Sequence, residues 1–169
     1  MILDIGCGGG ANVKRFLQRC PKAHVTGVDY SAVSVEKARK LNAAAIQAGR
    51  CEVLPSDVSR LTLPEHTFDL VTAFETVYFW PEISRSFGQI FRVLRPGGHF
   101  LIVNESTGTD TAAVKYSNII DGMQLYTPEQ LKALLEDVGF TEVNLRQASD
   151  KPWIAVLGRK PKKGKVGLK

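Results

Sequence analysis

Long apolar runs are missing from this 169-residue sequence. No stretch approaches 18 apolar residues, so nothing reads as a membrane span. Cysteine is scarce: Cys7, Cys20 and Cys51 are odd in number and match no zinc or redox spacing. That argues against a disulfide framework and for reduced thiols in a cytoplasmic setting. No His, Cys or acidic cluster has metal-ligand spacing, so no metal is expected. The front lacks the basic segment of a secretory signal. Also lacking is acid at the far end: Arg159, Lys160, Lys162, Lys163, Lys165 and Lys169 occupy the last eleven residues with no acid among them. Removing those six from the net charge of +5 leaves −1 for the rest. A nearly neutral body lacks the basic stripe of a nucleic-acid binder, and residues 159–169 read as a basic disordered tail.

What is present points to one α/β domain over residues 1–158. Met1-Ile2-Leu3-Asp4-Ile5 is an apolar strand with one acid, followed by Gly6-Cys7-Gly8-Gly9-Gly10-Ala11 and a helical pattern to Arg19. Glycines let backbone approach a ligand closely, and a helix start offers free N–H groups. The glycine spacing, with Asp29 about 20 residues on, fits a dinucleotide fingerprint. Asp4 argues otherwise: a carboxylate beside a pyrophosphate would repel it, whereas an ammonium or sulfonium would be attracted.

Further strands follow at 24–29, 51–55, 67–74 and 99–105. Ser31 starts a helix predicted to reach Gly49, and residues 82–94 form another. Thr127-Pro128-Glu129-Gln130 is a capping box with proline at its first helical position. Two strands at 140–145 and 153–158, joined by a short polar connection, pair antiparallel. Residues 106–126 show little pattern and read as a binding lid.

Asp4-Ile5-Gly6-Cys7-Gly8-Gly9-Gly10 resembles the D-x-G-x-G-x-G motif of class I S-adenosylmethionine-dependent methyltransferases. Gly27-Val28-Asp29-Tyr30-Ser31, Phe68-Asp69-Leu70-Val71 and Arg92-Val93-Leu94-Arg95-Pro96-Gly97-Gly98 resemble later family segments in the family's order. The resemblance implies a three-layer α/β/α Rossmann-like sandwich. Its mostly parallel seven-stranded sheet has order 3-2-1-4-5-7-6, with the last strand antiparallel. It implies S-adenosylmethionine as methyl donor and S-adenosylhomocysteine as product. Asp4, Gly6 and Gly8 would hold the methionine end. Asp29 would hold the ribose, and Tyr30, Asp57 and Val58 the adenine, with Phe74 nearby at a strand tip. Tyr78 and Trp80 would wall the substrate or, equally, cover the sheet end as core. Glu75 is the general-base candidate, and Glu105 a second.

Family members usually carry some tens of residues before this motif. The sequence is therefore expected to be truncated at its front, with a homodimer as one way to cover that side. The expected acceptor is a small molecule. Two rival readings are a cofactor-binding but inactive or regulatory module and an NAD-dependent oxidoreductase.

Overall fold

The computed structural model describes residues 1–162. Its seven strands are β1 (Ile2–Ile5), β2 (Val25–Asp29), β3 (Cys51–Pro55), β4 (Phe68–Phe74), β5 (Leu94–Asn104), β6 (Thr141–Gln147) and β7 (Ile154–Arg159). They form one sheet of order β3-β2-β1-β4-β5-β7-β6. β1 to β5 pair in parallel, and β7 runs antiparallel to both β5 and β6. This is the order expected from the sequence. β1 and β2 are buried along their whole length, as central strands covered on both faces must be.

The helices are α1 (Ala11–Arg19), α2 (Ala32–Leu41), α3 (Ala43–Gln47), α4 (Ile83–Val93), α5 (Thr111–Ser117) and α6 (Pro128–Val138). On one face Val13 and Leu17 of α1 and Val35 and Ala38 of α2 pack with Ile2, Val25 and Val53. On the other, Phe87 and Ile90 of α4 and Leu131 and Leu135 of α6 pack with Leu3, Ile5, Phe100 and Ile102. Alternation along β1 thus sends Leu3 and Ile5 to one layer and Ile2 to the other. α6 starts as its capping box demands: Thr127 Oγ1 accepts from Gln130 N, and Gln130 Oε1 accepts from Thr127 N. Gly139, at φ 110°, closes it.

Four local expectations need correction. The helix predicted from Ser31 to Gly49 is two helices, broken at Asn42. The Asn42 side chain turns inward and donates to Gly10 O (3.2 Å) and to Ala38 O (2.9 Å), so it is a buried tether to the glycine loop. β5 begins at Leu94 rather than His99, because the glycine turn finds backbone partners: Gly97 N donates to Lys160 O, and Lys160 N to Gly98 O. Residues 111–117, read as lid, contain α5, whose N-cap Asp110 accepts from Ala113 N.

The expected tail boundary also moves. Arg159 belongs to β7, and Lys160 is buried with Nζ donating to the Phe91 and Leu94 carbonyls at the end of α4. Lys163, Lys165 and Lys169 lie outside the described residues. Among the described residues, no helix is long and apolar enough to cross a membrane.

Removing the Asn42 tether should loosen this layer. Asn42→Ala is expected to lower unfolding stability by about 1–3 kcal/mol, the sum of two ordinary hydrogen bonds, as a lower urea midpoint with unchanged slope. An unchanged midpoint would show that the tether is idle.

Candidate functional site

The carboxyl ends of β1, β2 and β3 converge on a cavity of about 250 Å³. Its wall includes Ile5, Gly6, Asp29, Tyr30, Asp57 and Val58, with Ser56 and the loop residues Thr76, Phe79, Trp80 and Pro81 completing it. Open α/β sheets bind ligands at this edge. Six residues expected at the site, namely Gly6, Asp29, Tyr30, Asp57, Val58 and Trp80, share the wall. Asp4, Gly8, Phe74, Glu75 and Tyr78 do not border it.

Asp29 organises the loop. Its Oδ2 accepts from Gly8 N (2.9 Å) and its Oδ1 from Ser31 N (2.9 Å). Each carboxylate oxygen has a second lone-pair site, so the side chain retains capacity toward the cavity. Gly6, at φ 68°, lies against Thr76: a Cβ there would sit 2.1 Å from Thr76 Oγ1. Gly9 differs. Its φ is not positive, and a Cβ would meet nothing within 4 Å. No internal crowding requires glycine at that position, and its bare backbone leaves room for an approaching ligand.

Asp57 caps the short 3-10 turn Val58–Arg60. Its Oδ1 accepts from Ser59 N and Ser59 Oγ, both at 2.8 Å, and its Oδ2 accepts from the Arg60 guanidinium. The Ser59 bonds come first in holding its carboxyl below the ordinary value, with Arg60 adding to them. Tyr30 is 84% exposed at the cavity mouth, free to lie against a planar ligand.

Asp4 lies deep at the base of the glycine loop. It is 1% exposed, and its Oδ1 accepts from Thr72 Oγ1 at 2.7 Å. Burial pushes its pKa up to about 7; the Thr72 bond opposes this and the Asp29 charge adds to it. Phe74 turns toward α1, its ring 6.2 Å from that of Phe16. Cys7 is buried, and burial with the neighbouring Asp4 and Asp29 charges pushes its thiol up to about 12, which makes it a poor nucleophile.

The loop after β4 is divided. Trp80 is buried, stacked on Phe100 and donating from Nε1 to Thr76 Oγ1 (3.2 Å). Tyr78 is 4% exposed, while Phe79 is 46% exposed. Tyr78 is thus buried away from the cavity, Phe79 is exposed wall, and Trp80 is core and wall at once. Glu75, at φ 55°, accepts from Glu105 N through its Oε1. Partial desolvation raises its pKa, with the Glu105 charge adding and the Glu105 N–H and the nearby Tyr78 hydroxyl opposing. Sequence reasoning missed Thr76, whose hydroxyl joins Trp80 to the glycine loop, because an isolated threonine carries no spacing signal. It also missed Asn104, fully buried with both amide atoms unpartnered at the end of β5.

A sharp test concerns Asp4. Because burial raises the folded-state pKa, the folded protein keeps this proton to higher pH than the unfolded chain. The group therefore withdraws stability as pH rises through about 4 to 7. Asp4→Asn should match the parent near pH 4 and exceed it above about pH 7, by up to roughly 4 kcal/mol. Urea unfolding at both pH values checks this; equal stability at the higher pH would refute the strained acid.

Residues 3–102, more than half of the chain, match the methyltransferase domain family. The chain is 26% identical over 167 residues to sterol 24-C-methyltransferase erg-4 of Neurospora crassa, covering 90% of this chain and 43% of that protein. It is 27% identical over 143 residues to an O-methyltransferase of Pyrenophora dematioidea, covering 82% of this chain and 53% of that one. It thus spans about half the length of these relatives. Phosphoethanolamine N-methyltransferase 2 of Haemonchus contortus, solved with S-adenosyl-L-methionine, superposes with a TM-score of 0.82 at 18% identity, covering 95% of this chain and 48% of that one. With the glycine loop, the sheet order and the family match in agreement, this chain belongs to the methyltransferase domain family, of the class I S-adenosylmethionine-dependent kind.

Proposed function

We propose that this chain moves a methyl group from S-adenosylmethionine to a small-molecule acceptor. The observation that carries this reading is Asp29. It stands at the tip of β2, braced by Gly8 and Ser31 N–H groups and facing a cavity bounded by the glycine loop. When bound, the donor supplies a methyl group on a cationic sulfur, ready for in-line attack. The residues present fit such a group: Asp29 offers acceptors for ribose hydroxyls, and Tyr30 a ring for the base. Val58 and Asp57 lie beside the base position. An incoming amino group would share the Asp57 carboxylate with Arg60, whose exposed contact holds it weakly. Gly8 and Gly9 leave open space along the loop for the rest of the molecule.

Asp4, at the base of the loop, would meet the methionine ammonium, a cation that favours its ionised form. Most of what the protein contributes is alignment. Glu75 is the base: its raised pKa brings it closer to the strength that accepts a proton near neutral pH. The relatives named above are carbon, oxygen and nitrogen methyltransferases, so the choice of acceptor falls to the loops after β4 and β5 rather than to the shared sheet.

Calorimetry with S-adenosylhomocysteine and with NAD separates the cofactors, and a preference for NAD would end this reading. Asp29→Ala should weaken S-adenosylhomocysteine binding by about 1–3 kcal/mol, the range for losing a charge-assisted bond. Asp29→Asn, which keeps an acceptor oxygen for the loop, should lose less. Unchanged affinity in both refutes the ribose role. Cofactor binding without turnover on any acceptor would favour a regulatory module.

A further inference from the structure

The loop after β4 and the segment after β5 bring three carboxylates around one buried hydroxyl. Glu75 Oε1 accepts from Glu105 N, which sets the two acids side by side. Asp110 is held by Ser106 Oγ, Thr107 N and Ala113 N. Burial works against its charge, but those three donors outweigh burial and keep its carboxyl below the ordinary range, so it is ionised at neutral pH. Between these acids stands Tyr78. The charges of Glu75, Asp110 and Glu105 all bear on its hydroxyl and, together with burial as the largest cause, raise its pKa.

Two features make this a site rather than a solvated acidic surface. First, the Tyr78 hydroxyl is buried and has no hydrogen-bond partner; Glu75 and the Ser106 backbone lie near it, yet neither meets it in bonding geometry. A buried hydroxyl left unpaired is destabilising and calls for a partner. The Tyr78 backbone is fixed in place, its carbonyl accepting from Gln124 N (2.8 Å). Second, among the described residues none of the three carboxylates has an ion-pair partner. Glu75 and Glu105 remain open to solvent, so an incoming charge can reach them.

We propose that this box of Glu75, Glu105 and Asp110 around Tyr78 receives a protonated amine carried by the acceptor. An ammonium N–H would donate to the Tyr78 oxygen, and its charge would answer the acids. Asp110, its oxygens already engaged, contributes field rather than contact. A metal ion fits less well, since no group of acids, His or Cys among the described residues is arranged to hold one. The exposed Phe79 ring, edge-on to Tyr78 at 6.2 Å, adds an aromatic flank suited to a cation. Phe79 also lines the cofactor cavity, so the box adjoins the place where the donor would lie. The assignment rests on the methyltransferase reading above for the word acceptor, though not for the binding itself.

The test uses benzylamine and its neutral counterpart benzyl alcohol, titrated into the isotopically labelled full chain with S-adenosylhomocysteine present. The Glu105 and Ser106 backbone amide resonances are followed. Benzylamine should give saturable shifts, weakened by added salt, at an affinity about tenfold or more above that of benzyl alcohol. Glu105→Gln should reduce benzylamine affinity by about tenfold. Tyr78→Phe should also weaken benzylamine, while raising the melting temperature by roughly 2–4 °C because an unpaired buried hydroxyl is gone.

Equal affinity for amine and alcohol, absence of saturation with either, unaltered affinity in Glu105→Gln, or a lowered melting temperature in Tyr78→Phe each overturns the proposal. Calorimetry of S-adenosylhomocysteine on the same samples keeps the two readings apart. Cofactor bound but amine refused removes only this site; amine bound but cofactor refused removes only the methyl-transfer reading.

Discussion

The carboxylate of Asp29 is the constraint on which the site depends. It accepts one N–H from the glycine loop after β1 and another from the start of α2. A single side chain therefore sets the spacing between two neighbouring strand tips. Charge-assisted bonds of this kind are short and directional, and they fix the loop before any ligand arrives. Asn42 supports the same loop from behind through Gly10 O, and Thr76 closes its other side against Gly6. The glycine loop is flexible in composition but is gripped from three directions.

Much of the fold was legible in the amino-acid order. The antiparallel β6–β7 pair and the start of α6 followed from a short polar connection and from the Thr127 to Gln130 box, because those signals are local, whereas the strand order came with the resemblance of the glycine loop and later segments to a known family. The misses have a common physical form. The break at Asn42, the burial of Lys160 and the early start of β5 all depend on a partner distant in sequence: Gly10, the end of α4, and the backbone around Lys160. An asparagine within a helical stripe, or a lysine in a basic run, gives no hint that its polar atoms will be satisfied elsewhere.

The acids illustrate the same limit at the site. Asp4, Asp29 and Asp57 occupy three successive strand tips, and the sequence presents them as equals. The structure separates them by solvent access. Asp29 and Asp57 reach the cavity wall with backbone donors at their oxygens, whereas Asp4 lies beneath with Thr72 as its hydrogen-bond partner. Depth, which no spacing rule encodes, raises the proton affinity of Asp4 and sets it apart from the other two. The second set, Glu75, Glu105 and Asp110, comes together only because β4 and β5 are adjacent in the sheet.

The two tryptophans of this chain have different surroundings. Trp80 is sealed between Phe100 and Phe87 while forming part of the cavity wall, whereas Trp153 is partly in water beneath the Lys151 ammonium. The molecule therefore carries its own optical gauge. Indole emission from the enclosed ring should respond when the neighbouring hollow fills, and the outer ring serves as the unchanging reference in the same spectrum.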